Sequence, residues 1–141
     1  MLKLLGAVIF QFYKWRINMN AIIQPLSRFM LALIFILAGL SKIQDPAGTM
    51  GYMQSMGVPG ALLWPTVALE VLGGLAVAVG FKTRYAAFVL AIFSIAAAVI
   101  FHRNFSDQMQ MIMFLKNIGL AGGLLLLATS GKTAFSLDNR N

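Results

Sequence analysis

The stretch from Tyr85 to Phe101 is seventeen residues long and carries no charge, and three other runs in the chain come close to it. A helix rises 1.5 Å per residue, so about 20 apolar residues cross the roughly 30 Å hydrocarbon core of a bilayer. Ala61 to about Phe81 holds one charge, Glu70, and about Met109 to Ala128 holds Lys116 beside Asn117. The uncharged stretch Phe29–Leu40 reaches crossing length only if the span is extended to Ala21–Ser41, which puts Arg28 within it or at its edge. The turn Lys82-Thr83-Arg84 joins the second and third runs and is too short for anything but an antiparallel hairpin. Hydrophobic residues make up 60% of the 141 and charged residues 11%, too few for the exterior of a water-soluble globule. The expected fold class is all-α, an integral membrane bundle of four transmembrane helices.

Orientation follows from Lys and Arg in the short loops. Lys3, Lys14, Arg16, Lys82, Arg84, Lys132 and Arg140 fall on one side, against Lys42 and Arg103 on the other, so both termini are expected in the cytoplasm. These cations are scattered at helix ends, so the net charge of +7 does not point to nucleic acid. The absence of cysteine excludes a disulfide framework, an iron–sulfur cluster and a thiol nucleophile, and a single histidine argues against a bis-His haem; no metal site is expected. Residues 1–20 read as an N-terminal extension: an interfacial helix with a basic start, an apolar run Leu4–Phe10 and the aromatics Phe12, Tyr13 and Trp15, or sequence upstream of a true start at Met19. Residues 21–131 form the membrane domain and 132–141 a cytoplasmic tail. Between the first two spans, turn residues bracket about two turns of helix around Thr49–Met56, with Met50, Met53 and Met56 at three-residue spacing. This segment reads as an interfacial packing element in preference to a lid.

Charges at span depth cost about 2.5–3.5 kcal/mol each on insertion scales and need compensation. Glu70 lies about 13.5 Å and Lys116 about 10.5 Å below the same face at 1.5 Å per residue, so the depths predict a Glu70–Lys116 pair with Asn117 nearby. Arg28, Ala32, Phe35, Gly39 and Lys42 form one stripe expected to face the bundle. Glu70 shares its face with Gly73 and Gly74, and Lys116 with Gly119 and Gly123, spacings that let helix backbones approach. The candidate site residues are therefore Arg28, Lys42, Glu70, Lys116 and Asn117, with His102 beside Arg103 at the outer mouth. Three cations against one carboxylate favour an acceptor-rich ligand such as a quinone carbonyl, an oxyanion or a lipid phosphate. If Lys42 and Arg28 instead snorkel to the two interfaces, an inert structural pair is left. Asp45, Asp107 and Asp138 read as solvated or capping residues.

Arg28 followed by Ala38-Gly39-Leu40-Ser41-Lys42, then Tyr52-Met53, Gly57-Val58-Pro59, Glu70 with Gly73-Gly74, Gly80-Phe81-Lys82-Thr83-Arg84, Phe114-Leu115-Lys116-Asn117 with Gly122-Gly123, and the tail Gly131 to Ser136-Leu137-Asp138 form an ordered set. In order and spacing this set resembles the DoxX family of small bacterial membrane proteins, over about Ile22 to Arg140. The resemblance implies a four-helix inner-membrane protein and, for some relatives, a role linked to quinone-dependent sulfur oxidation or to a membrane-associated oxidative-stress complex. Gly73-Gly74 and Gly80 do not have dinucleotide-binding spacing, and no P-loop is present, so electron transfer would require bound quinone. The first expectation is a quinone-interacting membrane subunit with redox-complex partners. The alternative is a non-catalytic scaffold whose basic inner surface docks a protein partner or anionic lipid. Homo-oligomerisation stays open, and a four-span transporter would require it.

Overall fold

The computed structural model describes residues 1–140, with the side chains at 2–4, 7, 12–18 and 140 outside the description. The basic and aromatic side chains expected at Lys3, Phe12, Tyr13, Lys14, Trp15, Arg16 and Arg140 lie outside the described residues. Five α-helices account for most of the chain: α1 (Leu2–Gln44), α2 (Pro46–Ser55), α3 (Leu63–Val79), α4 (Thr83–Phe101) and α5 (Gln108–Thr129), with short 3-10 turns at Gly60–Leu62 and Leu137–Arg140. Among the described residues there is no strand. Met19–Gln44, Gly60–Val79, Thr83–Phe101 and Gln108–Thr129 are long and apolar enough to cross a membrane, within a few residues of the four runs read from the sequence. The N-terminal extension is helical and passes into the first span without a break, through Pro25.

The connections carry the chemistry expected of them. Asp45 caps α2, its carboxylate accepting from the Gly48 amide at 2.9 Å, and Pro46 supplies the first helical residue, where a missing N–H costs nothing. Asp107 caps α5 through the Met109 amide at 2.8 Å. The expected outer-loop helix is present, two to three turns long. Met53 is buried against Leu63 and Val67 in a small apolar cluster at that end, and Met50 packs against it.

The spans alternate in direction, so the bundle has an α2 end and a tail end. α1 packs along α3 and α4 along α5; α3 and α4 meet less, and α1 and α5 barely touch. Close approach in the first pair is set by glycine. A Cβ on Gly39 would stand 2.6 Å from the Val71 side chain and 3.3 Å from the Glu70 Cβ, and one on Gly74 would stand 2.8 Å from Ile36. The stripe Arg28, Ala32, Phe35 and Gly39 is buried, as its periodicity requires, and Lys42 continues it half-buried. Gly119 behaves differently, since a Cβ there would meet nothing within 4 Å, so the expected tight approach on the Lys116 face is confined to Gly123 against Leu31. The main core lies towards the tail end and is built from Ala32, Phe35, Val77, Ala87, Leu90, Ala91, Ala121, Leu124 and Ala128.

The tail end is closed by polar bonds. Arg28 is 1% exposed, and its guanidinium donates to Thr133 Oγ1 at 2.9 Å and to the carbonyls of Ala134 and Phe135 at 3.1 and 2.9 Å. The Ser136 hydroxyl donates to the Gly80 carbonyl at 2.7 Å. Asp138 accepts from the amides of Lys82 and Thr83 at 2.6 and 2.9 Å and from the Thr83 hydroxyl at 2.6 Å, so a residue of the tail caps α4. Partial desolvation pushes the Asp138 carboxyl up, but the hydrogen bonds from Thr83 and Lys82 and the charge of Arg28 outweigh it and hold the group below its ordinary 3.8. A depressed native pKa stabilises the docked tail fully above that ordinary value and releases it only as the pH falls below it. Amide exchange at Lys82 and Thr83, corrected for intrinsic rate, is expected to stay protected above about pH 5 and to lose protection below about pH 3.8. Asp138→Asn should weaken that protection at neutral pH as well.

Gly80 ends α3 with φ of +73°, and a Cβ there would collide with the Arg28 guanidinium and Ser136. Gly131 has the same φ of +73° with nothing nearby. Gly131→Ala should cost about 1–2 kcal/mol for the left-handed backbone alone. Gly80→Ala should cost roughly 2 kcal/mol more because the tail must also be displaced. Unfolding in mixed micelles measures both.

Candidate functional site

Between the tail-end core and the α2-end cluster, the four spans line a partly open cavity of about 420 Å³. Such a volume falls within the range usual for small-molecule sites. Phe35 and Phe93 line it towards the core, while Thr49, Tyr52 and Met53 of α2 line it from the other end. Tyr52 stacks on Phe101 with ring centroids 5.7 Å apart, fixing α2 to the end of α4. The helix expected as a packing element therefore both packs and lines the cavity. Five of the six candidate site residues face this one space: Lys42, Glu70, His102, Lys116 and Asn117. Arg28 does not, because it is committed to the tail.

The ion pair differs from the expected one. Lys42 Nζ donates to both carboxylate oxygens of Glu70, at 2.9 and 2.8 Å, and also approaches the Ala38 carbonyl at 3.3 Å. Three acceptors thus meet the three donors of the ammonium. Glu70 is buried, with 5% of its side chain exposed against 24% for Lys42. Lys116, assigned to Glu70 by depth, instead has its ammonium 3.2 Å from the Met113 sulfur, and it is exposed. Helix direction and packing explain the difference. Side chains lean towards the N-terminus of their helix. On antiparallel α1 and α3, Lys42 leans into the bundle and Glu70 leans back towards the α2 end, so the two converge. Lys116 lies on α5, which packs against α4, so equal depth does not bring it to Glu70.

The consequence is an uneven distribution of donors. Lys42 commits its three donors to Glu70 and the Ala38 carbonyl, and Asn117 donates to the Met113 carbonyl at 2.9 Å. His102, the candidate expected at the outer mouth, is half-buried and bonded through Nδ1 to Gln110 Oε1 at 2.9 Å. The Lys116 ammonium has only a thioether, a weak acceptor. The cavity therefore carries one positive charge in excess, not two, since Arg28 lies outside it.

A family model described as DoxX matches residues 24–103. The chain belongs to the DoxX family. This DoxX protein is 45% identical to inner membrane protein YqjF of Escherichia coli K12, over 79% of its own length and 86% of that protein. It is 37% identical to inner membrane protein YphA of the same strain, over 82% of its own length and 87% of that protein. CatD of Bacillus subtilis, named as an oxidoreductase only provisionally, is 34% identical over 52% of this chain and 55% of that protein. No solved structure matches. With four spanning helices and these relatives, the DoxX protein is an inner-membrane protein.

Sequence reasoning missed Thr66 and Tyr52 among the lining residues. Thr66 lies one turn before Glu70 on the same helix face, a signal available from spacing alone. Tyr52 reaches the cavity through the placement of α2, which no local pattern encodes. The charge pairing has a direct test in reversible unfolding in mixed micelles. Lys42→Met or Glu70→Leu alone should destabilise by about 3 kcal/mol, because each leaves a buried partner uncompensated. The double variant should recover most of that loss, and Lys116→Met should cost under about 1 kcal/mol.

Proposed function

We propose that the protein is a quinone-binding membrane subunit of a redox complex, with the quinone ring held in the cavity between the spans. The observation that carries this reading is the cavity itself, with apolar walls, aromatic rings at Phe35, Phe93, Tyr52 and Phe101, and polar groups contributed by α1, α3, α5 and the end of α4. Donor chemistry fits a planar ring with carbonyl acceptors. Lys116 has an ammonium with no oxygen acceptor, and His102 and Asn117 lie on the same lining. A hydrogen bond to a charged group contributes about 1.5–3 kcal/mol net, and less where the group is exposed, as Lys116 is. The Lys42–Glu70 pair holds α1 against α3 and so fixes the shape of the wall, while Thr49, Tyr52 and Met53 of α2 line the adjacent end. A bound quinone would supply two-electron redox chemistry, and this chain's residues would bind and orient it. The distant likeness to CatD is in keeping with a redox role.

The test is binding of decylubiquinone to protein in lipid nanodiscs, read by native mass spectrometry and by titration. Stoichiometric binding is expected, and Lys116→Met should weaken it by about tenfold, near 1.4 kcal/mol. Retention of lipid alone, or equal affinity in Lys116→Met, would contradict the proposal and favour a scaffold in which the buried charges only set helix pairing.

A further inference from the structure

The cavity is not lined evenly. Next to it, a shallow apolar groove runs along the outer side of α1, formed by Met30, Leu33, Ile34, Leu37, Ala38 and Ser41. These residues follow spacings of three and one, so they are a single helix face, and eleven steps at 1.5 Å make the groove about 16 Å long. Ile34 and Ala38 line both the groove and the cavity, so the two spaces adjoin at the gap beside α1.

That gap has a structural origin. α3 and α4 close one side of the bundle where Gly73 accepts Leu90. On the other side, α1 and α5 come close where Gly123 meets Leu31, and the two helices share few other contacts. Towards α2 the wall between them passes to Ile34 and Ala38 on one helix and Leu120 and Lys116 on the other, all facing the cavity. Leu37 is 56% exposed within the span, on the lipid side of this opening. At the α2 end, Met53 is buried and Tyr52, itself 43% exposed, stacks on Phe101.

We infer that the cavity is loaded sideways from the bilayer through the gap between α1 and α5, and that its ligand is an amphiphile whose apolar tail lies in the α1 groove while its polar head reaches Lys116. This rests on the proposed quinone reading and narrows it to tailed, membrane-resident quinones. Burial of the tail against Leu33, Leu37 and Met30 adds apolar contact that a tail-less ring cannot make. The groove has no charged residue, so it selects for length and apolarity and leaves head recognition to the cavity.

The experiment compares ubiquinone-0, which has no tail, with decylubiquinone, each at a known mole fraction in the lipid of nanodiscs so that partitioning is removed from the comparison. In the wild type, decylubiquinone should bind at least about tenfold more tightly. Leu37→Trp fills the groove from the lipid side and leaves the cavity residues in place. It should reduce the tail's advantage to under about threefold while ubiquinone-0 binds as before. Equal affinity of the two quinones in the wild type, or an equal loss for both in Leu37→Trp, would overturn the inference and leave the quinone cavity standing. Binding of neither quinone would overturn both. Leu37→Ala, which removes one tail contact but leaves the groove open, should keep part of the tail preference, and unchanged ubiquinone-0 binding in Leu37→Trp shows that this variant is folded.

Discussion

The ion pair between Lys42 and Glu70 organises this bundle, because a charge at span depth has no solvent to fall back on. It forms where two antiparallel helices come close enough for their side chains to lean towards one another, and Gly39 makes that approach possible beside Glu70. Removing the glycine's space or either charge breaks the same contact. Once α1 and α3 are locked together, α4 and α5 can pair with each other, and the volume left between the two pairs becomes the cavity.

The tail end works on the same logic with a different acceptor set. Arg28 finds no carboxylate within its span and donates through Nη1 and Nη2 to a hydroxyl and two carbonyls of the tail, with Nε buried and without a partner, while Asp138 turns back to cap α4. One end of the bundle is thus closed by polar bonds and the other by the packing of α2. Buried polar groups here fix positions that the apolar core, rich in alanine, would specify only weakly.

Much of this was legible in the chain. Composition and the length of four apolar runs determine the membrane bundle because the bilayer allows few alternatives, and the buried stripe from Arg28 to Gly39 follows from helical period alone. Asp45 and Asp107 are caps, as loop carboxylates before helices tend to be. The pairing of Glu70 was not legible from depth, since depth orders residues along the membrane normal and says nothing about which helices are neighbours. Side-chain lean and the small residues shared by α1 and α3 held that information. Arg28's partners lie more than a hundred residues away, and the cavity's lining by Tyr52 depends on where α2 settles. Such features belong to tertiary packing, which local periodicity does not record.

Glu70 is the only glutamate in the chain, which makes one measurement decisive. Protein labelled with 13C at the glutamate carboxyl and 15N at lysine Nζ, reconstituted in lipid, allows dipolar recoupling by solid-state NMR to report which ammonium touches Glu70. A strong coupling is expected in the wild type, retained in Lys116→Met and lost in Lys42→Met. Coupling that survives in Lys42→Met and disappears in Lys116→Met would contradict the pairing and the arrangement of helices built on it.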